Sequence, residues 1–368
     1  MKRILIVAGT RPEIIKLAPV IITAKSEFKH SLQIVFCLTG QHSVMARQAI
    51  EIFSLTPDLD LKIMERNQAL NSVSMKIFHS FPGVLKKYSP DLVMVQGDTT
   101  TAAVSGLVAF NMRIPVAHVE AGLRTFRLDA PYPEELNRRI ISAFSLYNFA
   151  PTENSKSNLL RENVPEEKIY VTGNTVVDAL EYIRDNHDLS LSGSLRQKVR
   201  SPFVLVTAHR RESFGDGVSR IFAALRSAAR KYPGIQFVYP VHPNPNVRNQ
   251  AKKYLRDIGN FLLIPPVGYL ELLALLEKCE FCITDSGGIQ EEAPSFEKFT
   301  IVLRDATERT ESIRAGLSVL AGTNPEKIIE EIDHRLLARK EKPQKTDNPF
   351  GDGNASGRIC RILSRTLK

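Results

Sequence analysis

Tryptophan is absent from this 368-residue chain, and aromatic residues make up only 7% of it. Stacking platforms for single strands of nucleic acid are therefore not expected. No long basic run occurs either. The formal charge of +9 comes from Lys and Arg scattered along the chain. It suits a solvated surface and anionic partners such as nucleotides or nucleic acid. Without a basic run or aromatic platforms, nucleic acid is not the expected partner. Cysteines are few: Cys37, Cys279, Cys282 and Cys360. Cys279 and Cys282 form a Cys-x-x-Cys pair, but no two further ligands stand at zinc-site spacing, so no metal is expected and both read as buried small hydrophobes. No apolar run reaches the roughly 18 residues that a transmembrane helix needs. The opening "MKRILIVAGTRPE" has a short apolar run and no small-residue cleavage site. It reads as a buried first strand, and a cytoplasmic protein without a membrane partner is the expectation.

What the chain does have is alternation. Short apolar runs alternate with amphipathic segments of helix length. Strands are expected at 3–9, 33–39, 91–97, 115–120 and 147–151, and a second series at 203–209, 235–242, 261–266, 281–287 and 300–305. They are nearly continuous in Val, Ile and Leu, as strands of a parallel sheet covered on both faces must be. Strands alternating with helices imply βαβ units. The fold class is α/β, with two Rossmann-like doubly wound domains facing a cleft. The crossover is placed near 173–185. The first domain then takes 1–172 with a C-terminal helix at 356–368, and the second takes 173–355. Ligands of such sheets bind beyond the carboxyl ends of the strands.

The polar residues cluster at those ends. After the first strand, "GTRPEIIKLAP" brings Arg11 and Lys16 to a helix N-terminus, with Pro12 suited to its first turn. The segment matches neither the Walker loop nor the Gly-x-Gly-x-x-Gly fingerprint, and alone it reads more readily as a simple helix cap than as a ligand contact. "QGDTTTAA" places Asp98 at a strand end, either as an N-cap or as a functional group. "HVEAGLRT" ends an apolar strand on Glu120, a carboxylate that must be paired or functional there; His118 reads as a core residue. "YPEELNRR" opens a helix with Glu134 and Glu135. Arg138 is four residues after Glu134, so the two share a face, as a surface ion pair or as part of a site. Carboxylates converging from several strand ends push one another's pKa values apart, which makes acids and bases.

In the second series, "TAHRRESFG" carries His209, Arg210, Arg211 and Glu212, and "YPVHPNPNVR" carries His242. Two histidines at successive strand ends favour phosphate contact or proton transfer. "ITDSGGIQEEAPS" then offers the Ser286 hydroxyl and the N–H groups of Gly287 and Gly288 to an anion. Glu291 or Glu292 follows at a reach suited to ribose hydroxyls, so the stretch reads as a nucleoside diphosphate site. "RDATERTES" adds Arg304 and Arg309.

These segments, with "TGQH" and "NPFGDGNAS", fall in the order seen in non-hydrolysing UDP-N-acetylglucosamine 2-epimerases, and the chain resembles that family from residue 3 to about 365. The resemblance implies a glycosyltransferase-B fold and a homodimer. It implies interconversion of UDP-N-acetylglucosamine and UDP-N-acetylmannosamine through elimination of UDP and its re-addition to 2-acetamidoglucal, in the supply of cell-surface polysaccharide precursors. No cofactor is implied. It implies Asp98, Glu120 and Glu134 as the acid/base carboxylates and His209 as the group facing the diphosphate. Arg11, Lys16, Gln41, His42, Arg138, His242, Val267, Leu272, Ser286, Gly287, Gly288, Glu292 and Arg309 are implied in binding the UDP-sugar.

The sequence also departs from the family pattern. Leu272 stands where an aromatic residue near the uracil is usual, so stacking is lost. Val267 replaces a usual polar residue, Thr310 a usual proline, and "SFEKFTIV" lacks the usual Gly-Lys-Pro. Bacterial members bind a second substrate molecule as activator through Gln41 and a glutamine three residues on, here Val44; an arginine of that site is replaced by Asn67. The resemblance therefore implies weak or absent activation by substrate. A 2-epimerase for another UDP-2-acetamido sugar, in 6-deoxy or uronic acid form, and a hydrolysing epimerase releasing N-acetylmannosamine remain as alternatives. A glycosyltransferase or a binding protein on the same fold fits the carboxylate set less well.

Overall fold

The structure, a computed structural model, describes residues 1–40, 44–63, 65, 68–209, 216–338 and 347–367. The chain divides into two compact units, Met1–Asn186 with Phe350–Lys368, and His187–Pro349.

The first unit is built on one sheet of seven strands: β1 (Lys2–Ala8), β2 (Leu32–Leu38), β3 (Leu59–Asp60), β4 (Leu92–Gln96), β5 (Val116–Val119), β6 (Tyr147–Ala150) and β7 (Ile169–Val171), in the order β3-β2-β1-β4-β5-β6-β7. All pairs are parallel, and Ile6 lies opposite Phe36 on one side and Met94 on the other. The central strands bury both faces. Leu5, Val7, Val93 and Val95 pack with Ile77 and Phe81 of the helix Leu70–Tyr88 and with Val104 and Val108 of the helix Thr100–Asn111. The second unit repeats the plan with β8 (Phe203–Thr207), β9 (Gln236–Pro240), β10 (Phe261–Ile264), β11 (Cys282–Thr284), β12 (Thr300–Val302) and β13 (Ser318–Leu320), in the order β10-β9-β8-β11-β12-β13, again parallel throughout. The strand order reverses between β1 and β4 in the first sheet and between β8 and β11 in the second. Ligand crevices of such sheets open at the carboxyl ends beside these reversals.

Each expected strand is present, shortened at its carboxyl end, where Gly9, Glu120, His209 and Gly287 fall in turns or begin helices. β3, β7 and β13 were not expected. Each is two or three residues long and lies at a sheet edge. Such strands bury too little to leave an apolar run. Cys279 and Cys282 are buried, as expected.

The break between units follows Asn186 rather than residue 172. The helix Thr175–Asn186 packs on the first helix, Arg11–Ser26, and on the last, Ala355–Thr366. Buried Asp178 explains this. Its carboxylate accepts from the backbone N–H groups of Ala355 (3.2 Å) and Ser356 (2.7 Å) and from the Ser356 hydroxyl (2.6 Å). It thus caps the last helix from outside, since that helix has no cap of its own from Asn354;.

Candidate active site

In the first unit the turns after β4 and β5 hold the expected carboxylates, and the turn after β1 holds the expected basic residues. Glu120 follows β5 and is buried, with its backbone in the left-handed region at φ +68°. A non-glycine residue there costs about 1–3 kcal/mol and persists only when its surroundings fix it. Here buried Lys16 forms an ion pair with its carboxylate, and the Gln96 side-chain amide donates to it at 2.9 Å. Lys16 comes from the helix Arg11–Ser26, which also begins with half-buried Arg11.

Half-buried Asp98 follows β4. Arg138 reaches one oxygen of its carboxylate with two nitrogens, Nε at 2.9 Å and Nη2 at 2.6 Å, and the Asn137 amide donates to its backbone carbonyl at 2.8 Å. Just before it, His118 Nε2 lies 2.7 Å from the Gly97 carbonyl, which can only accept, so Nε2 carries the hydrogen;. Burial lowers the His118 pKa to about 4, so the ring is neutral. Just after it, the Thr99 hydroxyl donates to Glu13 at 2.7 Å. Glu13 is buried, and desolvation raises its pKa to about 7 although several donors point at it;.

Half-buried Glu134 opens the helix Glu134–Phe144. Arg138 also reaches Glu135, at 3.3 Å. Glu135 is fully buried and accepts from the backbone N–H groups of Thr125 and Phe126, both at 3.0 Å. Glu135 therefore ties the loop after β5 to this helix.

In the second unit the turns after β8, β9 and β11 carry the expected polar groups. Asp285, buried at the end of β11, accepts from the His209 backbone N–H at 2.6 Å and lies 3.1 Å from His209 Nδ1. The His242 ring stacks on that of His209, with centroids 5.3 Å apart. Desolvation and then the neighbouring His209 hold the His242 pKa below its ordinary value, and its Nδ1 accepts from the Asn244 backbone.

Ser286 precedes the short helix Gly287–Glu292. A Cβ on Gly287 would meet the Arg309 guanidinium carbon at 2.8 Å, so only glycine lets Arg309 lie over this turn;. Arg309 is buried, donating to Glu291 at 2.8 Å and pairing with Glu308, which Arg304 also holds at 3.0 Å. Glu292 accepts from buried Tyr269 at 2.7 Å. Glu291 is thus paired with Arg309, and Glu292 with Tyr269. Val267 and Leu272 are half-buried before and within the helix Tyr269–Lys278. Gln41, His42, Asn67, Arg210, Arg211 and Glu212 lie outside the described residues.

Sequence reasoning missed Glu13, Gln96, Glu135, Asn137, Asp285 and Tyr269 as supporting groups. Only Glu13 had a local signal, the Thr-x-x-Glu spacing of a capping box. Among the described residues, no group of three or more His, Cys, Asp or Glu is placed to hold a metal ion, and no helix is long and apolar enough to cross a membrane.

Two parallel sheets with interleaved helices and polar strand ends define an α/β chain of the glycosyltransferase-B-like class. The family model described as UDP-N-acetylglucosamine 2-epimerase matches residues 25–364. The UDP-N-acetylglucosamine 2-epimerase of Yersinia pestis is 45% identical, with 98% of each chain covered. The crystal structure of the Neisseria meningitidis UDP-GlcNAc 2-epimerase bound to UDP-GlcNAc is 42% identical, with a TM-score of 0.91 over 98% of this chain and 99% of that one. The Methanocaldococcus jannaschii UDP-GlcNAc 2-epimerase, in complex with UDP-GlcNAc and UDP, is 36% identical, with a TM-score of 0.85 over 99% of each chain. The chain belongs to the UDP-N-acetylglucosamine 2-epimerase family.

Proposed function

We infer that the chain is an isomerase that interconverts UDP-N-acetylglucosamine and UDP-N-acetylmannosamine. The observation that carries the reading within the molecule is Glu120, a buried carboxylate held in a costly backbone conformation at a strand end. Strain of this kind clusters at functional sites. The proton on sugar carbon 2 is not acidic, so inversion by a base alone is hard. Elimination solves the problem. A carboxylate takes the carbon 2 proton while the bond from carbon 1 to the diphosphate oxygen breaks. The products are UDP and 2-acetamidoglucal. A second carboxylate then delivers a proton to the opposite face of carbon 2, and the diphosphate oxygen attacks carbon 1 again.

Asp98, Glu120 and Glu134 form the set from which acid and base come. His209, beside Asp285 on its Nδ1 side, faces the departing diphosphate and stabilises its charge by donating an N–H from Nε2. Arg11, Lys16, Arg138, His242, Ser286, Gly287, Gly288, Glu292 and Arg309 bind the UDP-sugar, with Val267 and Leu272 on the base side. The same reading makes the chain a cytoplasmic homodimer supplying polysaccharide precursors. Exposed Met75, Phe78, Phe110, Leu136 and Ile140, on helices that pack side by side, offer a second copy an apolar face;.

Positional isotope exchange tests the bond cleavage. With oxygen-18 in the bridge between carbon 1 and the β-phosphorus, the label should spread to the non-bridging β-phosphate oxygens during turnover. Epimerisation with the label fixed in the bridge would refute elimination.

A further inference from the structure

Glu13 lies at the strand reversal of the first sheet and has no part in the reaction as described so far. Its carboxyl group takes donors from two turns. One oxygen accepts from the backbone N–H groups of Gly9 (3.1 Å) and Thr10 (2.7 Å), in the turn after β1. The other accepts from the Thr99 hydroxyl (2.7 Å), in the turn after β4. Thr99 spends its only hydrogen on Glu13 and accepts from the Ala102 N–H at 3.0 Å, which caps the helix Thr100–Asn111. The hydroxyl is thereby fixed at both ends, and the residue bonded to Thr99 is Asp98. The junction has no slack. A Cβ on Gly9 would come within 2.6 Å of the Thr101 hydroxyl and 2.7 Å of the Thr39 hydroxyl.

We propose that Glu13 is a positioning residue for the epimerisation: through Thr99 it sets the place of Asp98, and it ties that place to the turn that carries Arg11. The inference rests on the assignment of Asp98 to the acid/base set. Above the value of about 7 to which burial raises it, Glu13 is a carboxylate that only accepts, and the groups facing it are donors;. Glutamine keeps the shape but turns an NH2 group toward one of those donors. Aspartate is too short to bridge both turns.

The test compares the full-length chain with Glu13→Gln, Thr99→Val and the double variant. The kcat and KM for UDP-N-acetylglucosamine are measured, together with deuterium uptake of backbone amides. A misplacement near 1 Å costs about 10²-fold in rate. Glu13→Gln should therefore lower kcat by about 10- to 100-fold and leave KM within about threefold. Thr99→Val should do the same. The double variant should be no slower than the slower single variant, because both act through one link. Deuterium uptake should rise at 97–102 in Glu13→Gln and remain at the wild-type level elsewhere, apart from 9–13. A kcat of Glu13→Gln within about threefold of wild type overturns the proposal, and so do losses that multiply in the double variant. If Glu13→Gln does not fold, Thr99→Val alone decides, and an unchanged kcat overturns it. If the wild-type chain does not turn over this sugar, the substrate reading fails separately. The uptake then decides, and unchanged protection at 97–102 in Glu13→Gln overturns the positioning role.

Discussion

Arg138 holds Asp98 by two nitrogens on a single carboxylate oxygen, Nε at 2.9 Å and Nη2 at 2.6 Å. The two contacts fix that oxygen in place. A lysine at this position keeps the charge but cannot form the fork. Arg138→Lys should therefore lower kcat/KM by about 100-fold, with the chain still folded. Steady-state epimerisation assays check this, and a rate near wild type would show that the fork does not matter.

Tyr269 acts on Glu292 in a similar way, at 2.7 Å and with both groups buried. Tyr269→Phe leaves the carboxylate one donor short without changing the packing. The expected effect is UDP binding weaker by about tenfold, equivalent to about 1.4 kcal/mol, with kcat altered much less. Calorimetric titration of UDP reads the first, and equal affinities would remove Glu292 from the nucleotide site.

Asp178 is the tie between the last helix and the first unit. Burial raises its pKa despite the three donors of Ala355 and Ser356. Asp178→Ala removes a helix cap and strands those donors, at a cost of roughly 2–4 kcal/mol. Urea unfolding should report a loss of this size. A loss below about 0.5 kcal/mol would mean that packing alone holds the helix.

Two buried groups give the stability opposite pH dependences. Glu13 moves from its ordinary 4.5 up to about 7, because burial favours the neutral acid. Its contribution is complete below 4.5 and is lost as the pH rises through 7. His118 moves from 6.5 down to about 4. Its contribution is complete above 6.5 and is lost as the pH falls toward 4. The stability of Glu13→Gln relative to wild type should thus rise from pH 5 to pH 8, and that of His118→Gln should fall over the same range. Each change is on the order of 1–3 kcal/mol. Unfolding curves at the two pH values measure both, and a difference that stays flat with pH would contradict the assignment.

The sheets were legible because parallel strands covered on both faces need unbroken apolar runs, and β1, β4, β8 and β9 have them. The edge strands β3, β7 and β13 bury too little to leave that trace. Asp98, Glu120, His209 and Ser286 stood out because polar residues directly after apolar strands have few structural reasons to be there. Their supports did not stand out. Asp285 with His209 and Tyr269 with Glu292 are partners only in three dimensions, and no sequence spacing links them. The break between the units was misplaced for the same reason, since the bond from Asp178 to Ser356 spans nearly half the chain.

The most direct test is proton NMR of UDP-N-acetylglucosamine with the chain in heavy water. The account predicts loss of the carbon 2 proton signal together with a new anomeric signal of UDP-N-acetylmannosamine. A retained carbon 2 proton and no new anomer, with the chain in excess over the sugar, would contradict it.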